Sequence, residues 1–302
     1  MSVVHEDLVR ALPAEAEAPS LLGDLLDLTK PRLSTLVLIT TAVGYVVAPE
    51  HPRLWNLLLV VFGTALIVAS ANTLNCWLER DSDRLMRRTR NRPLPARRLP
   101  HWAALVQGIV LGSIALPVIG VASNGLAALL AFVALLSYVA VYTPMKRVSS
   151  VATVVGAFPG ALPPLIGWVA ARGRIEAGGL ALFAVLFLWQ IPHFLALSVF
   201  LADDYARAGL KVLPLDGGDA ATRWNVVLWT LALLPVSLLP VTLDLAGTAY
   251  AAVAIVSGLA FLGLGARGFR SNGGTRWAVG LFVGSIVYLT LLFAALVLDA
   301  RA

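Results

Sequence analysis

Only one cysteine, Cys76, occurs in 302 residues. That excludes an intramolecular disulfide framework and says little about redox compartment. Charge is scarce too: 13% of residues are Asp, Glu, Lys or Arg, against roughly 25% in soluble domains. No P-loop, dinucleotide-binding glycine fingerprint, nucleophilic Ser/His pair or Cys/His zinc spacing is present. Covalent catalysis and zinc chemistry therefore have no support. Residues 1–20 lack a basic stretch followed by an apolar core, so no secretory signal is expected there.

What is abundant is hydrocarbon. Hydrophobic residues make up 59% of the chain and the mean hydropathy is +0.83, which marks an integral membrane protein. The apolar runs are long and rich in Leu, Ala and Val, so they predict helices rather than the short alternating strands of a β-barrel. Windows long enough to cross a bilayer fall near 33–49, 55–77, 102–122, 126–143, 149–170, 180–201, 225–245, 249–265 and 277–298. The expected fold is all-α, a polytopic bundle of nine transmembrane helices. Residues 1–19 read as a disordered tail and 20–298 as a single domain. Within the latter, Ser20–Leu28 alternates apolar and acidic residues at helical spacing, which suits a short helix lying on the interface.

The net charge of +6 is explained by topology rather than by nucleic-acid binding. With a cytoplasmic N-terminus and external C-terminus, 19 of the 23 basic residues lie on the inside, as the positive-inside rule requires. This orientation also gathers the loops after spans two, four and six on the cytoplasmic face. Those loops hold nearly every unusual polar residue, so an active site is expected there.

Three constellations stand out. Asn75, Glu79 and Asp83, spaced four apart, advance only about 40° per step around a helix. They form one oxygen-bearing stripe where a span meets water. Such ligands suit Mg²⁺, which is held by few carboxylates and leaves room for phosphate. An ordinary charged helix end, with its acids paired to Arg80, Arg84 and Arg87, is the alternative. Eight arginines lie between Arg80 and Arg98; of these, Arg88 and Arg92 are candidate diphosphate ligands because guanidinium forks match phosphate oxygens. Anchoring to anionic lipid is the plainer role for that run. The second constellation is Tyr142 with Lys146 and Arg147, followed by a Pro/Gly-rich run from Gly156 to Trp168. That run predicts either a kinked helix lining a pocket or close packing through small residues. The third is Trp189-Gln190-Ile191-Pro192-His193-Phe194, leading to Asp203 and Asp204. Intramembrane ionisable groups mark function by default, so His193 is a candidate, and the aspartates offer a second acidic pair facing the first.

These segments, with Leu28-Thr29-Lys30-Pro31-Arg32, resemble the UbiA superfamily of intramembrane prenyltransferases over about residues 25–298, and within it the haem O synthase branch. Two departures from the wider superfamily pattern are visible. Glu79 stands where the first aspartate of an N-x-x-x-D-x-x-x-D motif is usual. His193-Phe194 occupies the place where the second acidic motif usually opens with aspartate, an exchange that points to the haem branch.

The resemblance implies transfer of a farnesyl group from farnesyl diphosphate to a vinyl group of protohaem IX. Water is added and diphosphate leaves, giving haem O for a downstream haem A synthase. It also implies Mg²⁺ on Asn75, Glu79, Asp83, Asp203 and Asp204. Diphosphate would lie on Lys30, Arg32, Arg88, Arg92, Lys146 and Arg147, with His193, Tyr142 and Lys146 in catalytic roles. Trp189 would help Tyr142 stabilise an allylic cation. The setting is the lipid bilayer of the cell (inner) membrane. An aromatic, quinone-precursor or chlorin acceptor is the alternative within the class, and a membrane transporter is the alternative outside it.

Overall fold

The computed structural model describes residues 20–48, 53–270 and 274–300. The expected tail over 1–19 lies outside the described residues. Among those described, the chain is helical, with a single isolated bridge between Ala246 and Ala300. A short helix α1 (Leu21–Thr29) leads into α2 (Pro31–Val47), α3 (Leu54–Asp83) and α4 (His101–Ala122). Then come α5 (Gly125–Met145), α6 (Ala152–Arg172), α7 (Ala177–Phe200) and the short α8 (Ala202–Arg207). The chain closes with α9 (Gly218–Thr242), α10 (Thr248–Arg270) and α11 (Thr275–Leu298). Eight of these are long and apolar enough to cross a membrane, and α2 is a shorter apolar helix of 17 residues, at the low end of what a bilayer core needs. The nine-helix expectation is met.

Hydrocarbon solvent explains how the helices present themselves. The buried positions of α4 are Ala104, Gly108, Gly112, Ala115, Ile119 and Ala122, mostly small residues three or four apart. Val106, Ile109, Val110 and Ile114 of the same helix face outward. Lipid is as apolar as a protein core, so large side chains gain nothing by turning in, and close backbone approach drives association instead.

The two most enclosed helices are α6 and α7, with 72% and 56% of their apolar windows buried. Helix α6 packs on α2, α5 and α7, and it serves two cores: Ala157, Ala161 and Trp168 face the C-terminal helices, whereas Leu162, Leu165, Ile166 and Val169 face α3 to α5. Its Pro/Gly run is a packing surface. A Cβ on Gly44 of α2 would overlap the carbonyl of Pro164, and one on Gly167 would overlap that of Thr41. The pocket-lining reading of this run is corrected accordingly: only Ala152 and Thr153 of α6 reach the polar cavity described next.

Candidate active site

At one end of the bundle, a cavity of about 200 Å³ opens between the ends of α3, α5 and α7 and the segments that follow them. Local features of the chain build its walls. Lys30 joins α1 to α2 in a left-handed conformation, φ 52°, with Pro31 opening α2. That unusual backbone turns the side chain inward, where Nζ donates to Asn75 Oδ1 at 3.0 Å. Asn75 Nδ2 in turn donates to Thr143 Oγ1 at 3.2 Å. Within α5, residues Ser137–Tyr142 form a π-helical turn. Pro144 follows, which has no N–H to give and crowds the preceding turn. Wide turns of this kind recur at functional sites, and here Tyr138 and Tyr142 both reach the cavity.

Acids and cations interleave across the space. Asn75, Glu79 and Asp83 are all buried on one face of α3, as their spacing predicts. Lys146 Nζ lies 2.9 Å from Glu79 Oε1 and 4.4 Å from the centre of the Tyr142 ring. Arg92 Nη1 lies 3.0 Å from Asp83 Oδ2, and Thr89 Oγ1 donates to the Asp83 carbonyl at 2.8 Å. The Arg88 guanidinium also lines the cavity and has no ion-pair partner among the described residues. Burial pulls the Lys30 ammonium below its ordinary value, and the nearby Arg92 and Lys146 charges act in the same sense. An anion entering here would reverse that pull.

Eight of the predicted site residues therefore meet: Lys30, Asn75, Glu79, Asp83, Arg88, Arg92, Tyr142 and Lys146. Five do not line the cavity. Arg32 is exposed on α2, and Arg147, also exposed, reaches Ser82 Oγ at 3.4 Å. Asp203 is exposed. Asp204 is buried but engaged, accepting from the Arg87 amide at 3.1 Å and pairing with Arg207. Burial opposes its ionisation, yet the amides of Arg87 and Arg88 and the Arg207 guanidinium outweigh that and hold the carboxyl below its ordinary value. His193 stands one residue before Phe194 and one helical turn before Leu197, both of which line the cavity.

The histidine is built in with care. Its ring stacks between Trp189 and Phe282, at centroid distances of 4.8 and 4.4 Å. Its Nδ1 meets Ser285 Oγ at 2.7 Å. The Ser285 hydroxyl has one proton and donates it to the Phe282 carbonyl at 2.6 Å. With the Ser285 proton turned to Phe282, His193 Nδ1 donates and the neutral ring keeps its lone pair on Nε2. Trp189 is buried and donates to the Ser285 carbonyl at 2.7 Å; it supports His193 and does not line the cavity. Sequence reasoning missed Ser285, Tyr138, Tyr205 and Lys211 as site residues. The four-residue step from Tyr138 to Tyr142 was a readable signal, whereas nothing local marks Ser285. Lys211 is placed by its amide, which donates to the Lys146 carbonyl at 2.8 Å.

The UbiA prenyltransferase family model matches residues 37–297. The chain belongs to this family. Among its relatives, a protoheme IX farnesyltransferase of Anaeromyxobacter sp. (strain Fw109-5) is 55% identical over 278 residues, covering 92% of this chain and 94% of that protein. Solved structures share the fold at low identity. A digeranylgeranylglyceryl phosphate synthase aligns with a TM-score of 0.78 at 18% identity, over 92% of this chain and 98% of that one. A UbiA homolog from Archaeoglobus fulgidus bound to DMAPP and Mg²⁺ aligns at 0.68 and 19% identity, over 90% and 99%. The multi-pass membrane architecture of this chain is that of its family.

Proposed function

We propose that this chain is a Mg²⁺-dependent prenyltransferase that moves farnesyl from farnesyl diphosphate to a vinyl group of protohaem IX, adding water and yielding haem O and diphosphate. The observation that carries the reading is a relative named for that activity, 55% identical across 92% of the chain, on a fold whose cavity sets two carboxylates and an amide among five cations. In the reaction the allylic C–O bond breaks with its electron pair leaving on diphosphate. The vinyl π electrons form the new C–C bond, and water closes the resulting cation by losing a proton.

Residues of this chain supply most of what those steps need. Lys30, Arg88, Arg92 and Lys146 face the space where diphosphate charge would build, where preorganised donors are most effective. The donor set fits Mg²⁺: Asn75, Glu79 and Asp83 offer hard oxygen ligands, and the metal, when bound, would neutralise charge on the leaving group. Glu79 and Asp83 now hold Lys146 and Arg92, so ligand entry amounts to an exchange of partners in which phosphate takes the cations. Tyr138 and Tyr142 present ring faces to an allylic cation. His193, through Nε2, would take the proton from water or contact the haem. Arg32, Arg147, Asp203 and Asp204 serve from outside the cavity in this reading. The site opens to the cytoplasm of the cell (inner) membrane by the distribution of basic residues, with an external C-terminus, and haem O passes to a haem A synthase.

Purified protein given haem B, farnesyl diphosphate and Mg²⁺ should release diphosphate and form a hydroxyethylfarnesyl haem detectable by mass spectrometry. Absence of that product, with the protein folded, ends the haem reading; product on another acceptor moves it within the family.

A further inference from the structure

A second cavity, of about 450 Å³, shares no lining residue with the first. Arg80, Arg84, Arg97, Arg98 and His101 surround it above an apolar floor of Leu94, Leu99 and Pro100. The end of α3 thus looks two ways: Glu79 and Asp83 turn into the catalytic cavity, and Arg80 and the following Arg84 turn into this one.

Its charge is not balanced from within. Asp24 is fully engaged by Arg98, with contacts of 2.8–3.0 Å. Asp81 lies 3.7 Å from Arg80. Arg84 spends its Nε on the Pro95 carbonyl at 3.2 Å, and neither Arg84 nor Arg97 has a carboxylate partner among the described residues. Asp27 acts on Arg98 as well, which leaves the Arg84 and Arg97 guanidiniums without a carboxylate in contact among the described residues. Helix α4, 22 residues long, begins at the rim with Pro100 as its N-cap and no side-chain cap, so no side chain opposes the positive end of its dipole. Arg97 itself sits in the left-handed region at φ 59°, a strained conformation of the kind that clusters at ligand clamps.

The surroundings say where such an anion comes from. Trp102 is 60% exposed next to the rim, and Leu21, Leu22 and Leu26 of α1 are exposed as well. Helix α1 is held against this corner by Arg98–Asp24 and by Gln107 Nε2 donating to the Leu25 carbonyl at 3.0 Å. An amphipathic helix and an outward tryptophan place the cavity at headgroup depth.

We infer that this cavity binds a phosphate oxyanion, supplied by the headgroup of an anionic phospholipid, and that it docks the α1–α4 corner onto the membrane surface. The same chemistry would accept free diphosphate, so both sources are tested. The full-length protein in a mild non-ionic detergent is titrated with phosphatidylglycerol, with phosphatidylcholine, and with inorganic diphosphate alone, and adducts are counted by native mass spectrometry. Phosphatidylglycerol should bind in preference to phosphatidylcholine and weaken with salt. The double variant Arg84→Gln/Arg97→Gln should lose about 25-fold in that affinity, at roughly fivefold per cation near an anionic surface, while Arg84→Lys/Arg97→Lys keeps most of it. Farnesyl transfer in detergent should be unchanged in both variants.

Diphosphate competing with the lipid, and lost in the same double variant, supports the phosphate site with a soluble source as well. Equal binding of both lipids by the unaltered protein overturns the proposal, whether or not the variants fold. So does an undiminished phosphatidylglycerol affinity in a folded double variant.

Discussion

Two acid clusters, Asn75/Glu79/Asp83 and Asp203/Asp204, look alike in sequence: each ends an apolar helix beside basic residues. Their fates in the fold differ. The first is buried across a polar cavity and each carboxylate meets a cation that lines the same cavity, Lys146 for Glu79 and Arg92 for Asp83. The second follows a break at the end of α7, where Asp203 faces outward and Asp204 is held by its neighbour Arg207 and by the Arg87 amide. Partners that face a shared cavity make an exchangeable site, since a ligand entering it can separate them. Partners outside the cavity make a brace.

Mutation is the direct way to break that contrast. The largest effect is expected from Asp83→Ala, which should lower haem O formation, normalised to folded protein, on the order of 10³-fold, the upper range for losing one charge-stabilising contact. Retained turnover would place the two clusters on the same footing. Lys146→Met should cost on the order of 10²-fold in the same assay, and Lys146→Arg should recover part of it. Ser285→Ala should cost about tenfold, the low range for an orienting partner. The loss should appear in kcat with little change in the apparent affinity for farnesyl diphosphate, because Ser285 lies away from the diphosphate-facing cations. Asp203→Ala should stay within about twofold of the parent, as surface changes usually do; a large loss would mean that the second cluster joins the site when substrate binds.

A third acid sharpens the comparison from the opposite end of the bundle. Glu176 accepts from Trp168 Nε1 at 3.1 Å and pairs with Arg172 and Arg174. The Arg172 hydrogen bond is the main reason its carboxyl is held down at about 2. A depressed carboxylate stabilises the fold fully above its unfolded value of about 4.3, and that contribution disappears as pH falls through about 2. Glu176→Gln should therefore lower the melting temperature by a few degrees at pH 7, converge with the parent near pH 2, and leave turnover unchanged. A turnover defect would argue against a purely structural role.

Much of this was legible residue by residue. The period of four put Asn75, Glu79 and Asp83 on one face because a helix repeats every 3.6 residues, and α3 bears that out. The α1 helix over Leu21–Thr29 followed from its amphipathic spacing; the structure adds a Ser20 cap, whose hydroxyl accepts from the Gly23 amide at 3.1 Å. Less legible was the Gly156–Trp168 run. Glycine and proline report close approach or an irregular backbone equally well, and only the neighbour chosen, α2 with its Gly44, resolves the ambiguity. Ser285 was invisible because it lies 92 residues from the histidine it orients.

By itself, then, the sequence determined the solvent, the number of spans and the chemistry on offer, since bilayer thickness, hydropathy and helical period act on short stretches of chain. The tertiary structure alone decided which acids meet which cations, that Ser285 is the partner of His193, and that six of the eight arginines from Arg80 to Arg98 divide between two cavities. Those are matters of distance between segments far apart in the chain, and electrostatic and hydrogen-bond energies depend on distance rather than on order in sequence.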